Sequence, residues 1–105
     1  MSAFRSTVLP LLITALLAGA SGCDPYYDYC EARMSCLNGN ETDIEACTIE
    51  LEAEEDKADL WGCLDRWEDY QACREEFSTC DPNNYEYTHH DRCNPERDRY
   101  TDCIH

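Results

Sequence analysis

Lys57–Cys80, KADLWGCLDRWEDYQACREEFSTC, is the stretch on which the fold turns, because it brings both tryptophans and three of the nine cysteines into helical register. Leu60, Cys63, Trp67 and Tyr70 step by three and four residues. Cys73, Phe77 and Cys80 continue the steps with a small change of phase. This spacing predicts a central helix with an apolar, sulfur-bearing face, while Asp65, Glu68, Asp69, Arg74 and Glu75 lie elsewhere on it. A helix that carries its thiols on its buried face is one to which other segments are stapled.

Working outward toward the N-terminus, Thr42-Asp43-Ile44-Glu45 has the form of a capping box. It opens a helix with Ile44, Cys47, Leu51 and Ala58 on its stripe and acids on the other face. The phase of that stripe does not match the central helix, so a bend or break is expected between about Glu54 and Asp59. Before it, Asp24-Pro25 reads as an N-cap with proline at the first helical position. Tyr26, Cys30, Met34 and Leu37 share a face until Asn38-Gly39 stops the helix. On the C-terminal side, Asp81-Pro82-Asn83-Asn84 ends the central helix and leads into a polar loop through His89 and His90. Asn94-Pro95-Glu96 then caps a last helix carrying Tyr100 and Cys103. No segment alternates long enough for a useful strand. The expected class is all-α, a small disulfide-rich helical hairpin or bundle of about four helices.

An apolar residue stands three positions before most cysteines: Tyr27, Ile44, Leu60, Tyr70, Phe77 and Tyr100 precede Cys30, Cys47, Cys63, Cys73, Cys80 and Cys103. Residues three apart share a helix face, so these sulfurs are expected in the core with the aromatics. The cysteine spacings of the two halves, Cys30 to Cys63 and Cys73 to Cys103, are loosely alike, which suggests two helical hairpins. Nested pairing would then join Cys30 to Cys63, Cys36 to Cys47, Cys73 to Cys103 and Cys80 to Cys93, although spacing leaves other pairings open.

The chain has 105 residues and nine cysteines. A domain this small buries a core that supplies only about 3–5 kcal/mol, so staples are needed, and they form in an oxidising compartment. With seven Lys and Arg against 23 acids, all 23 of them after Arg5, the chain beyond its leader carries a net −16. Nucleic acid and anionic lipid surfaces bind through clustered cations, so both are excluded as partners.

Met1–Thr7 holds one positive charge, Val8–Ala18 is an apolar run broken at Pro10 and Thr14, and Gly19, Ala20, Ser21 and Gly22 are small. Residues 1–22 therefore read as a secretory signal, too short in its apolar part to span a membrane. Ala20-Ser21-Gly22-Cys23 resembles the bacterial lipobox, with Ala20 where a Leu-like residue usually stands. That resemblance implies lipid on Cys23 as the first mature residue, a short tether over residues 23–29 and a stapled domain over residues 30–105. It also implies a place in the bacterial cell envelope, on the periplasmic or outer side. Asp24 matches the inner-membrane retention signal of enterobacterial lipoproteins, and the choice of membrane stays open. Cysteine arithmetic agrees with the anchor: without Cys23, the set Cys30, Cys36, Cys47, Cys63, Cys73, Cys80, Cys93 and Cys103 is even and can form four disulfides. Cleavage after Ala20, at Ala18-Gly19-Ala20, would instead release a soluble secreted protein.

Cys63/Cys73 and Cys93/Cys103 are each separated by nine residues. In this they resemble the twin Cys-x9-Cys proteins of the mitochondrial intermembrane space. That resemblance implies a second pairing scheme, Cys63 with Cys103 and Cys73 with Cys93.

Chemistry is scarce. His89, His90, Asp91 and Cys93, and His105 beside Cys103, are metal-ligand types, but adjacent histidines do not readily face one ion and no Cys-x2-Cys pair occurs, so no metal is expected. The acids Glu50, Glu52, Glu54, Glu55, Asp56 and Asp59 lack the order of a calcium loop and read as a solvated helix face. There is no Cys-x-x-Cys, and Ser35 and Ser78 lie outside any nucleophile motif. No enzyme activity and no cofactor are expected. Tyr70 and Tyr100 are expected in the core, and Tyr85 and Tyr87 are the candidate contact surface for an unknown protein partner. The function expected is a non-catalytic, lipid-anchored structural or interaction role. The alternatives are a secreted effector or inhibitor and weak divalent-cation binding by the acidic face.

Overall fold

A computed structural model describes residues 24–105; the signal-like segment and Cys23 lie outside the described residues. Four helices make up two thirds of what is described: α1 (Tyr27–Cys36), α2 (Glu41–Leu60), α3 (Leu64–Phe77) and α4 (Asn94–Cys103). A two-stranded antiparallel ribbon, β1 (Thr79–Asp81) and β2 (Glu86–Thr88), lies between α3 and α4. None of these helices is long and apolar enough to cross a membrane.

Asp24 Oδ1 accepts from the Tyr26 N–H at 2.9 Å, and the Asp24 carbonyl accepts from Tyr27 N. The stretch expected to be a tether is therefore a turn over residues 24–26 and the first turn of α1, with Tyr26 and Tyr29 in the core; the N-cap position is Tyr26, two residues after the expected Asp24, because Asp24 bonds within that turn. At the other end of α1, Asn38 takes a left-handed φ of 60°. The amides of Asn38 and Gly39 bond back to Ser35 and Met34, a Schellman closure. A side chain on Gly39 would crowd Met34 and Asp43, which is why glycine follows.

The capping box of α2 is two residues earlier than its sequence signature. Asn40 Oδ1 accepts from Asp43 N at 3.1 Å and Asp43 Oδ2 from Asn40 N at 2.9 Å. Asn and Asp make the same reciprocal bonds as Thr and Glu, and the Asn38 turn leaves Asn40 extended and ready to cap. Ile44, Cys47, Leu51 and Ala58 are buried as expected.

The long central helix does not exist. α2 runs through the expected break and stops at Leu60. Gly62, at φ 70°, and Cys63 close a second Schellman motif onto Asp59 and Ala58. Residues on either side of that corner no longer share one helical frame. Leu60 is consequently 87% exposed and Trp61 is largely exposed, while Cys63 and Trp67 are buried. The ribbon also replaces an expected loop. Thr79 pairs with Thr88, Cys80 with Tyr87 and Asp81 with Glu86, and Asp81 organises the turn by accepting from Asn83 N and Asn84 Nδ2.

α1 folds back on α2 and α4 on α3, giving two helical hairpins. Cys30–Cys47 staples the first, and Cys63–Cys103 and Cys73–Cys93 the second. Cys36–Cys80 joins the first hairpin to the ribbon. The nested pairing is overturned for a geometric reason. Cys36 ends α1 beside the turn, whereas Cys47 lies seven residues along α2, roughly 10 Å up the helix at 1.5 Å per residue. Cys30 is the α1 residue level with it. In the second hairpin both pairings are those implied by the twin Cys-x9-Cys spacing.

With few aliphatic residues, the core is aromatic and sulfur-rich: Trp67 sits among Tyr26, Tyr70 and Tyr100, with ring centroids 5.3–6.5 Å away. Tyr hydroxyls tie the elements together. Trp67 Nε1 donates to Tyr26 Oη at 2.9 Å, and Tyr100 Oη donates to Glu54 of α2 at 2.8 Å.

Candidate functional site

The residues singled out from the sequence do not converge. Tyr85 sits at the ribbon turn with a left-handed φ of 52° and is exposed, whereas Tyr87 is half-buried with its ring edge-on to Tyr29 at 5.7 Å. Tyr87 is thus core support and Tyr85 stands alone. His89 is half-buried against the Tyr70 ring, and burial holds its pKa below the ordinary value. His90 is exposed, and Asp91 is engaged with Asn94. Sγ of Cys73, Sγ of Cys93 and a Glu96 carboxylate oxygen lie within 4.8 Å of one another. The two sulfurs are bonded to each other, so they offer no thiolate to a metal.

The acid run of α2 is divided by the helix period. Glu54 receives the Tyr100 hydroxyl, and burial together with Glu54 raises the Tyr100 pKa well above the ordinary tyrosine range. Partial desolvation, Asp24, Asp56 and Glu55 raise Glu52. Three ion pairs occur among the described residues: Arg66 with Asp65, Arg97 with Asp98 and Arg99 with Glu96. Arg74 is used differently. Its guanidinium lies 5.1 Å from the Tyr29 and Tyr70 ring centres, and two of its nitrogens donate to Tyr29 Oη at 2.8 and 3.2 Å. Most carboxylates therefore face solvent without a cation within ion-pair distance.

A hollow of about 460 Å³ lies between α3 and α4, with Phe77, Arg92 and Glu96 in its lining, and a smaller one, which holds a buried polar side chain, lies between the turn before α1 and α3. It is a cleft of about 290 Å³ lined by Pro25, Tyr26, Glu55, Trp67, Glu68, Gln71, Ala72 and Glu75. A neighbouring hollow of about 350 Å³ shares Pro25 and Glu75 and extends past Asp28 and Tyr29 to Tyr87. Trp67, Gln71 and Glu75 follow one another at four-residue steps along α3, and Glu68 lies between them on the same side. Tyr26 is locked over this face by its bond to the indole. At the bottom, Gln71 is only 4% exposed, and neither its Oε1 nor its Nε2 has a hydrogen-bond partner among the described residues. Glu75, one turn on, is near enough that the amide partly offsets the rise in its pKa that burial causes, without a well-formed bond. Tyr26 is likewise raised, by burial first and by Glu55 in addition, against the lowering effect of the Trp67 bond.

The sequence carried one signal for this cleft, a glutamine in the helical stripe between two glutamates. Its closing wall, Pro25 and Tyr26, falls where the lipobox resemblance implies a tether and the Asp24-Pro25 pattern implies a helix start, and neither reading lays it over α3. Comparison with family models, curated proteins and solved structures finds no match to this chain.

Proposed function

We propose that this chain is a non-catalytic protein-interaction module of the bacterial cell envelope, anchored through lipid on Cys23. The four disulfides support an oxidising, extracytoplasmic compartment. One observation carries the anchor: all eight cysteines from Cys30 to Cys103 pair with one another, which leaves Cys23 as the odd one, directly before the folded domain and after a signal-like segment. Asp24 is bonded into the turn before α1, so lipid on Cys23 would hold the α1 end of the domain against the bilayer. Several acyl chains hold a protein far more firmly than one. The interaction role is supported by an acidic surface with little internal compensation and a cleft of aromatic and carboxylate groups.

Intact mass of the protein taken from its native envelope, before and after reduction and alkylation, tests the anchor. The expected species begins at Cys23, is heavier by a diacylglycerol and an acyl chain, and takes up eight alkyl groups only after reduction. A lipid-free species beginning at Ser21 would overturn the anchor and leave a secreted effector.

A further inference from the structure

We propose that the cleft between the Pro25-Tyr26 turn and α3 receives the lysine or arginine side chain of a basic segment on a partner protein. This deepens the interaction reading and is independent of the anchor. Three carboxylates, Glu55, Glu68 and Glu75, surround the cleft from two helices, and none is in an ion pair among the described residues. Carbon lines it as well: the buried Trp67 with the exposed Ala72 and Pro25. An alkyl stem with a charged end matches that combination, because its methylenes cover the apolar lining while its head reaches the carboxylates.

Gln71 points to a ligand separately from the acids. A glutamine amide held at 4% exposure with no well-formed bond, its nitrogen facing only the Glu75 carboxylate, is short of the partners that a native interior normally supplies. An ammonium or guanidinium donates to its Oε1 and to Glu75 beside it. The cleft, at about 290 Å³, is at the small end of the roughly 300–1,000 Å³ of small-molecule sites, a size suited to one side chain. A hard dication would need about six to eight oxygens close together, and half of this lining is Pro25, Tyr26, Trp67 and Ala72. The net charge of the chain beyond its leader excludes an anion and steers a basic partner inward.

The test is a ¹⁵N NMR titration of the exported protein with the probe peptide acetyl-Gly-Ser-Lys-Ser-Gly-amide, its arginine analogue and its uncharged norleucine analogue. The expected result is saturable shifts centred on the Trp67 indole N–H and the Gln71 side-chain amide with lysine or arginine, and none with norleucine. The double variant Glu55→Gln/Glu75→Gln should weaken binding at least tenfold while keeping the dispersion of a folded domain. Glu50→Gln, an exposed acid elsewhere on α2, should leave it unchanged. Shifts spread over the acidic surface and equally weakened by Glu50→Gln would overturn the proposal. So would no shift at Trp67 and Gln71, or saturation of those two signals by calcium chloride with no response to the peptides.

Discussion

Trp67 donates its indole N–H to the Tyr26 hydroxyl while its rings fill the core, so two substitutions separate its packing from its polar role. Trp67→Ala should remove about 3–5 kcal/mol of stability. Tyr26→Phe keeps the ring and strands one buried donor, for a loss of about 1–3 kcal/mol. Leu60→Ala, at a position 87% exposed, should stay within about 0.5 kcal/mol. Urea denaturation followed by circular dichroism ranks the three, and a large loss for Leu60→Ala would contradict the corner at Gly62. Tyr100 gives a pH prediction. Its folded pKa is raised by burial and Glu54, so at alkaline pH the unfolded chain releases this proton while the folded chain still holds it. The associated stability is complete below about pH 10, the ordinary tyrosine value, and falls as pH rises beyond it. Tyr100→Phe should flatten that alkaline decline in a melting-temperature series. The stripes Ile44, Cys47, Leu51 and Trp67 were readable from spacing, since a periodic pattern reports one face of one helix. Gln71 was not, because a polar residue among glutamates looks solvated until the Pro25-Tyr26 turn is laid beside it.

At the level of the helices, the ends decide the architecture. Gly62 holds φ 70° in open space, so Gly62→Ala meets no clash and pays only the left-handed strain, about 1–2 kcal/mol. Asn38 occupies the equivalent position after α1, so Gly62→Asn should recover part of the loss. Asn40→Ala should cost about 1 kcal/mol by removing one half of the capping box. Thermal melts of these variants measure each directly. The Gly62 corner was legible in principle: a glycine between two helical patterns of different phase is a stop signal. The i, i+3 and i, i+4 steps of Leu60, Cys63 and Trp67 concealed it, since such steps arise by chance across a turn. The ribbon was hidden for another reason. Strands of three residues are shorter than any alternation can reveal, and this pair is held by Cys36–Cys80 as well as by its own ladder.

For the molecule as a whole, the crosslinks differ in what they close. Cys36–Cys80 spans 44 residues and Cys30–Cys47 spans 17. Loop-closure entropy makes these worth about 4 and about 3 kcal/mol. Replacing both cysteines of a pair by alanine should therefore lower the urea midpoint more for Cys36/Cys80, and the reverse order would show that the unfolded chain is not the main place where these bonds act. Helical class, the oxidising compartment and most of the buried stripe follow from local rules that act over one to four residues: caps, periodicity and the even count of cysteines. The partner of each sulfur, the course of the chain at Gly62 and the cleft over Gln71 required the packed arrangement. They depend on the heights of residues along two different helices and on the angle at which those helices meet. Both quantities are set by contacts between segments distant in the chain, which the pattern within any one segment does not encode.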